Sequence, residues 1–301
     1  MQGLQDMQRR FMQCDVFSDT AFRGNPLAVV VDGDGLTTAQ MQEFANWTNL
    51  SETTFLLKPE DPQADYKVRI FTPEEEMPFA GHPTLGSCAA WIDSGGKPKH
   101  AERIIQECNI GLVDVILSGN ELSFVAPPTE ITPMLPAVES ALLQAMHIDS
   151  ASLVRSTQLN NGPHWQVLEL ASSDDVLAIE LEKINWPDFN LHGFDGSAYV
   201  GLVGRYKPDD TALSDNGPDY EVRLFAPTSG IAEDPVTGSL NAAIACWYSA
   251  QGQLPDKLIM SQGTALGRLG RLSITRELAG SEQRILIGGA TRLLIRGHVE
   301  L

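Results

Sequence analysis

Val68-Arg69-Ile70-Phe71-Thr72-Pro73 recurs as Val222-Arg223-Leu224-Phe225-Ala226-Pro227, 154 residues later. A few residues on, Gly81-His82-Pro83-Thr84-Leu85-Gly86-Ser87 is answered by Glu233-Asp234-Pro235-Val236-Thr237-Gly238-Ser239 at an offset of 152. Both stretches continue into small and apolar residues that end in tryptophan, Trp91 and Trp247, and both leave through glycine, at Gly95-Gly96 and Gly252. A weaker echo pairs Gln106…Gly111-Leu112-Val113 with Gln262…Gly267-Arg268-Leu269. One six-residue match can arise by chance, but an ordered series at a near-constant offset marks a duplicated unit. The offset is about half of the 301 residues, so the chain reads as two homologous lobes related by a pseudo-twofold axis.

The local patterns fit this division. Val68–Phe71 and Val222–Phe225 carry β-branched and aromatic residues and stop at proline, so each reads as a strand. Helices are expected to start at Pro83 and Pro235, because proline's missing N–H is no loss in a first turn. His82 and Asp234 then fall at the helix entrances, near the N-cap. The Ala, Ser and Cys content of both helices suggests burial inside a curved sheet. Short strands are expected at Val29–Val31, Phe55–Leu57, Val113–Leu117, Leu122–Val125, His164–Leu170, Leu272–Thr275 and Ile285–Ile287. Amphipathic helices are expected over Thr38–Thr48 and Val138–His147. Pro127-Pro128, Pro133 and Pro136 mark a lobe junction, Glu74-Glu75-Glu76 reads as a solvated turn, and residues 1–10 read as an irregular tail. The expected class is α+β, with two pseudo-symmetric lobes, each a strand-rich sheet around one helix.

Composition excludes several classes. Hydrophobic residues make up 43% of the chain, enough for a core, so disorder is excluded. The formal net charge of −18 repels phosphate backbones, so no nucleic-acid partner is expected. Four cysteines, Cys14, Cys88, Cys108 and Cys246, form no C-x-x-C pair and read as free thiols of a reducing compartment. Residues 1–8 lack an apolar segment of the signal-peptide kind, and the purest aliphatic run, Leu27–Val31, is too short to span a bilayer. A cytoplasmic protein without a membrane partner is expected. No P-loop, G-x-G-x-x-G, H-E-x-x-H or G-x-S-x-G motif occurs. His82, His100, His147, His164, His192 and His298 form no i, i+3 or i, i+4 pair, so no metal site is expected.

The repeated helix entrances remain as the candidate chemistry. A helix N-terminus presents unpaired N–H groups and a partial positive charge. Two such ends facing one cleft would hold a carboxylate without Arg or Lys. His82 and Asp234 would then flank the ligand; equally, Asp234 reads as a plain N-cap and His82 as a surface turn residue. Glu52, in Asn49-Leu50-Ser51-Glu52-Thr53-Thr54-Phe55, could be pointed into a lobe interface as a general base. Taken by itself it reads more simply as an exposed turn glutamate beside Ser51.

These residues also carry a resemblance that runs almost end to end. The chain resembles the PhzF family, the phenazine-biosynthesis isomerase group, which shares the diaminopimelate epimerase fold. The matching motifs are Asp15-Val16-Phe17, Gly24-Asn25-Pro26-Leu27-Ala28-Val29-Val30, Ser51-Glu52-Thr53, Phe71-Thr72-Pro73 and Phe79-Ala80-Gly81-His82-Pro83-Thr84-Leu85-Gly86. They continue with Phe225-Ala226-Pro227, Glu233 through Ser239, Gln262-Gly263 and Gly267-Arg268. The resemblance implies barrel-like lobes, here residues 11–128 and 129–289, with a C-terminal strand at 290–301 crossing back to the first lobe. It implies a homodimer, and Glu52 as the catalytic acid/base. His82 and Asp234 would complete the catalytic set, with Gly81, Gly238 and Ser239 binding substrate. The expected activity is cofactor-independent movement of a carbon-bound proton within a small anionic substrate, in a cleft between the lobes. trans-2,3-Dihydro-3-hydroxyanthranilate is the group's own substrate. Related epimerases and racemases use two entrance cysteines; here those places hold His82 and Asp234, while Cys88 and Cys246 lie deeper. An epimerase or racemase is therefore the alternative enzyme, and a non-catalytic small-ligand-binding protein the alternative outside enzymes.

Overall fold

A computed structural model describes residues 8–119, 121–190, 194, 199–207, 217–228, 231–279 and 282–301. His192 and residues 1–7 lie outside this set. The chain divides into two compact units, residues 1–125 with 288–301 and residues 126–287. The class is α+β.

The first unit contains β1 (Gln8–Val16), β2 (Asn25–Val30), α1 (Thr38–Thr48), β3 (Glu52–Leu57), β4 (Tyr66–Phe71), β5 (Glu76–Met77) and α2 (Gly81–Asp93). It continues with β6 (Arg103–Cys108), β7 (Gly111–Ser118) and β8 (Glu121–Val125). The second contains β9 (Glu130–Thr132), α3 (Pro136–Ala145), β10 (Leu153–Asn160), β11 (His164–Leu170), α4 (Ser173–Leu177), β12 (Tyr199–Arg205) and β13 (Tyr220–Ala226). It closes with β14 (Ile231–Asp234), α5 (Gly238–Ala250), β15 (Lys257–Gln262), β16 (Gly270–Ala279) and β17 (Glu282–Gly289). The final strand, β18 (Thr291–Glu300), pairs antiparallel with β1.

The two units repeat one pairing pattern. In the first, β1/β2 is antiparallel, β2/β3 parallel, β3/β4 antiparallel, β4/β6 parallel and β6/β7 antiparallel. In the second, β10/β11, β11/β12, β12/β13, β13/β15 and β15/β16 repeat that alternation. Each parallel step needs a crossover, and α1, α2, α4 and α5 supply them. α2 touches β1, β2, β3, β4, β6, β7, β8 and β18. Its residues Gly81 through Cys88 are all buried, and α5 is buried along most of its length. A helix covered on nearly every side needs small residues. A Cβ on Gly86 would come within 2.5 Å of Leu27 Cδ2 and 3.0 Å of Val16 Cγ2, so glycine sets how closely α2 approaches β1 and β2.

Several expected boundaries move. α2 starts two residues before Pro83 and α5 three residues after Pro235. Asp234 is not an N-cap: it ends β14 and pairs with Leu224 of β13, and Thr237 is the N-cap of α5. His82 lies inside the first turn of α2 rather than before it. The two 13-residue helices therefore correspond at an offset of 157, with Gly81 matching Gly238 and His82 matching Ser239. The earlier strands keep their offset of 154, since β4 and β13 both end their matched runs at Phe71 and Phe225. The connection after β13 is longer by three residues, and this misaligns a gapless reading. Residues 8–10 are not tail but part of β1, paired with residues 298–300. No local signal announces that pairing, because its partner is at the other end of the chain.

Glu74-Glu75-Glu76 is likewise not wholly solvated. Glu76, in β5, accepts from Arg69 Nε at 2.7 Å, and both side chains are about one-fifth exposed. The same motif recurs as Arg223 Nε to Glu233 Oε1 at 2.9 Å and Nη2 to Oε2 at 2.8 Å, with both side chains only 2% exposed. Removing one member of a buried pair leaves an uncompensated charge. Glu233→Ala is expected to lower stability by about 3–5 kcal/mol. Glu76→Ala, its less buried counterpart, is expected to cost about 1 kcal/mol or less. Urea unfolding of both variants checks this, and equal losses would contradict it.

Candidate active site

In the first unit, one backbone feature and one side-chain contact deliver Glu52. Asn49 closes α1 in the left-handed region at φ 52°, and the hydroxyls of Thr48 and Thr53 share a hydrogen bond of 2.9 Å. The chain therefore turns tightly into β3, whose first residue is Glu52, opposite Leu27 of β2. His82 comes from the first turn of α2. Its Nε2 stands 3.3 Å from Glu52 Oε2, with the two side chains 5% and 15% exposed. The structure thus brings together two residues thirty positions apart, and Glu52 is not an exposed turn residue.

Burial holds the His82 imidazole neutral, lowering its pKa from 6.5 to about 3. The contact to Glu52 is therefore between a neutral ring and a carboxyl group, not an ion pair. On the other side of the ring, Asn25 Nδ2 lies 3.4 Å from His82 Nδ1, and Ser51 Oγ donates to Asn25 Oδ1 at 3.4 Å. Asn25 is fully buried at the start of β2. The preceding turn is clamped by Asp15, whose carboxylate accepts from Arg23 N at 2.9 Å and Gly24 N at 3.0 Å. A side chain at Gly24 would meet Val16 O at 2.2 Å, so this turn requires glycine.

In the second unit, Asp234, Gly238 and Ser239 lie together at the start of α5. Thr237 Oγ1 donates to Asp234 Oδ2, so the N-cap hydroxyl is spent on Asp234 and does not cap the helix. Gln262, wholly buried on β15, fixes this segment. It donates to Asp234 O at 3.1 Å and Thr237 Oγ1 at 2.9 Å, and accepts from Thr237 N at 3.0 Å and Asn241 Nδ2 at 2.8 Å. Ser239 O accepts from Asn161 Nδ2 at 2.8 Å, and Asn161 Oδ1 accepts from Trp165 Nε1 at 2.9 Å.

The helix starts carry the electrostatics. α1 opens with a full capping box at Thr37 and Gln40, whereas neither α2 nor α5 has a side-chain cap. Gly81 and Gly238 are the first residues of these uncapped helices and leave their amides unshielded by side chains. Such ends favour anions.

The cysteines are packing residues. Cys88 and Cys246 stand a full two turns into α2 and α5. Burial pushes the Cys14 and Cys88 thiols up to about 12, and raises Cys108 and Cys246. Among the described residues no group of three or more His, Cys, Asp and Glu side chains could hold a metal ion. A cavity of about 330 Å³ in the second unit, lined by Met146, His147, Asp149 and Lys183 among others, includes none of the candidate residues.

Sequence reading overlooked Asn25, Thr237, Asn241 and Gln262 as site residues. Asn25 and Gln262 each stand beside a glycine in motifs already singled out. A polar residue in an otherwise apolar strand start or end was the available signal.

Comparison with known proteins places these features in context. The model of the PhzC-PhzF family, described as phenazine biosynthesis-like protein, matches residues 14–297. A Schizosaccharomyces pombe protein named antisense-enhancing sequence 1 is 35% identical over 305 residues, covering 96% of this chain and 98% of that one. The trans-2,3-dihydro-3-hydroxyanthranilate isomerase of Pseudomonas aeruginosa is 30% identical over 280 residues, covering 90% and 91%. Among solved structures, a Bacillus anthracis PhzF-family protein aligns with a TM-score of 0.79 at 20% identity, covering 98% and 100%. A hydroxyproline epimerase from Agrobacterium vitis shares the fold, with a TM-score of 0.61 at 12% identity over 98% and 93%. No helix among the described residues is long and apolar enough to cross a membrane.

The neutral state of His82 has a pH consequence. A histidine whose pKa falls on folding binds protons more readily when unfolded, so stability is full above about 6.5 and declines as pH falls toward about 3. The decline amounts to about 1.4 kcal/mol per pH unit for one group. His82→Gln removes that contribution, so its stability is expected to fall less steeply across this window. Denaturant unfolding at a series of pH values checks this; parallel profiles for the two proteins would contradict it.

Proposed function

Because the chain belongs to the PhzC-PhzF family of phenazine biosynthesis-like proteins and is an isomerase of that family, we propose that Glu52 is its acid/base. As a carboxylate it removes a carbon-bound proton made acidic by an adjacent unsaturated or carbonyl system. It then returns the proton to another carbon of the same ligand. The observation that carries the reading is the Glu52–His82 contact of 3.3 Å in a largely buried setting. A carboxyl group and a neutral imidazole are thereby held in fixed relative geometry at the start of an uncapped helix.

In this reading His82 positions Glu52 and the ligand. The amides at Gly81 and Gly238, with Ser239, receive a carboxylate and the negative charge that develops on proton removal. Asp234, held by Thr237 and Gln262, orients the ligand and relays or stabilises charge. The substrate is a small anionic organic acid. trans-2,3-Dihydro-3-hydroxyanthranilate, named for the Pseudomonas aeruginosa relative, is the first compound to test. A homodimer, implied by the family resemblance, and the cytoplasmic location expected from the sequence belong to the same proposal.

The racemase alternative needs two ionisable thiols at the helix entrances. Cys88 and Cys246 are deep in their helices and their thiols resist ionisation, which favours the carboxylate mechanism.

Deuterium uptake from D2O into trans-2,3-dihydro-3-hydroxyanthranilate and a panel of small unsaturated and amino carboxylates tests the proposal. Products would be followed by NMR and mass spectrometry. Glu52→Gln is expected to lower turnover by at least about 10²–10⁴-fold while keeping the fold and ligand binding. Substantial residual activity would remove Glu52 from the mechanism. The Cys88→Ala/Cys246→Ala double variant is expected to retain turnover; its complete loss in a folded protein would revive the thiol mechanism.

A further inference from the structure

We propose that Asn25 is a positioning residue that fixes the ring tautomer of His82, keeping Nδ1 bare so that Nε2–H faces Glu52. Its functional meaning rests on the reading of Glu52 as the acid/base. Asn25 is fully buried, and its amide is engaged on both sides: Nδ2 lies 3.4 Å from His82 Nδ1, and Oδ1 accepts from Ser51 Oγ at 3.4 Å. A neutral imidazole has one N–H and one bare nitrogen, and the partner of one nitrogen decides the state of the other. With the amide NH2 on Nδ1, the proton sits on Nε2, 3.3 Å from Glu52 Oε2.

The reversed amide is disfavoured while Glu52 is a carboxylate. Oδ1 would then take a proton from Nδ1, and a bare Nε2 would face a carboxylate oxygen, lone pair against lone pair. Inside a buried site that repulsion is not screened by water. In the observed arrangement Ser51 Oγ donates to Asn25 Oδ1, Asn25 Nδ2 faces His82 Nδ1, and His82 Nε2 lies 3.3 Å from Glu52 Oε2, close enough for electrostatic attraction though outside hydrogen-bond geometry. Backbone restraints reinforce it, since Asp15 holds the Arg23 and Gly24 amides and Asn25 pairs with Val16 in the sheet. His82 is thereby kept protonated at the nitrogen that faces Glu52. A proton taken up by Glu52 has no bare ring nitrogen beside it to accept it, so it stays on the carboxyl group until the ligand takes it back.

The test is the ring state itself, read in full-length protein labelled with ¹⁵N-histidine by long-range ¹H–¹⁵N correlation. His82 is identified by the signals that vanish in His82→Gln. The expected result for the wild type is a protonated Nε2 and a bare Nδ1. Asn25→Asp puts an acceptor where the donor stood and is expected to invert the tautomer. With trans-2,3-dihydro-3-hydroxyanthranilate as substrate, its kcat is expected to fall about 10–100-fold at little-changed KM. Should Asn25→Asp fail to fold, Asn25→Ala replaces it, with a mixture of both tautomers expected. A wild-type ring protonated at Nδ1, or a folded Asn25 variant with the wild-type tautomer, overturns the inference and leaves Glu52 untouched. An active Glu52→Gln enzyme overturns the acid/base reading instead and leaves the ring spectrum of the wild type as it is.

Discussion

Gln262 Oε1 accepts from Thr237 N and Asn241 Nδ2, while its Nε2 donates to Thr237 Oγ1 and Asp234 O. The first unit repeats the device with different residues. Gln106 Nε2 donates to Thr84 Oγ1 at 3.1 Å, Thr84 Oγ1 donates to Ala80 O at 2.9 Å, and Tyr66 OH donates to Gln106 Oε1 at 2.9 Å. Both glutamines are wholly buried on the strand that follows the central helix and runs parallel to the strand before it. A helix that begins inside the core without a side-chain cap must have its first turn held by other means. The glutamine does this from the side, and so leaves the leading amides of α2 and α5 unoccupied by side chains. The rest of each unit follows from that arrangement, since the helix start, the strand before it and the strand after it are locked together at the candidate site.

Most of the fold was legible because it depends on local pattern. α1 at Thr38–Thr48 and β11 at His164–Leu170 have the boundaries read from their periodicity and flanking residues. β10 and β12 were not read as strands, since their patterning is ambiguous without a partner strand to define a face, and β18 was expected only through the family resemblance. The duplication was visible but aligned by proline, which is only one of several residues that can sit near a helix start. The register that matters physically is set by ion pairs and hydrogen bonds. Arg69–Glu76 corresponds to Arg223–Glu233, and Gln106 to Gln262, and these place Gly238 rather than Pro235 at the head of α5.

The candidate site was less legible than the fold. Nothing local to Ser51-Glu52-Thr53 distinguishes a buried carboxylate from a turn glutamate, and only the family resemblance selected it. The deciding contact is made by His82, thirty residues away on a different element. Asn25 was quoted as part of a motif but given no role, for the same reason: its partners, His82 and Ser51, meet it only in the folded sheet. Polar side chains of this kind carry little periodic signal, and their meaning lies in who satisfies them.

The same polar groups carry a cost in stability within each unit. A neutral buried histidine, two uncapped helices and a carboxyl group at a strand start each work against stability. Natural proteins concentrate such departures at functional positions. The surrounding structure offsets them locally: Asp15 clamps the turn before Asn25, α2 is covered by eight strands, and the buried Arg223–Glu233 pair anchors the hairpin that ends at Asp234. The deep, protonated thiols of Cys88 and Cys246 belong to that supporting structure. The fold is shared with a hydroxyproline epimerase. What the fold contributes is the pair of unshielded helix starts, and the chemistry depends on which side chains are placed beside them.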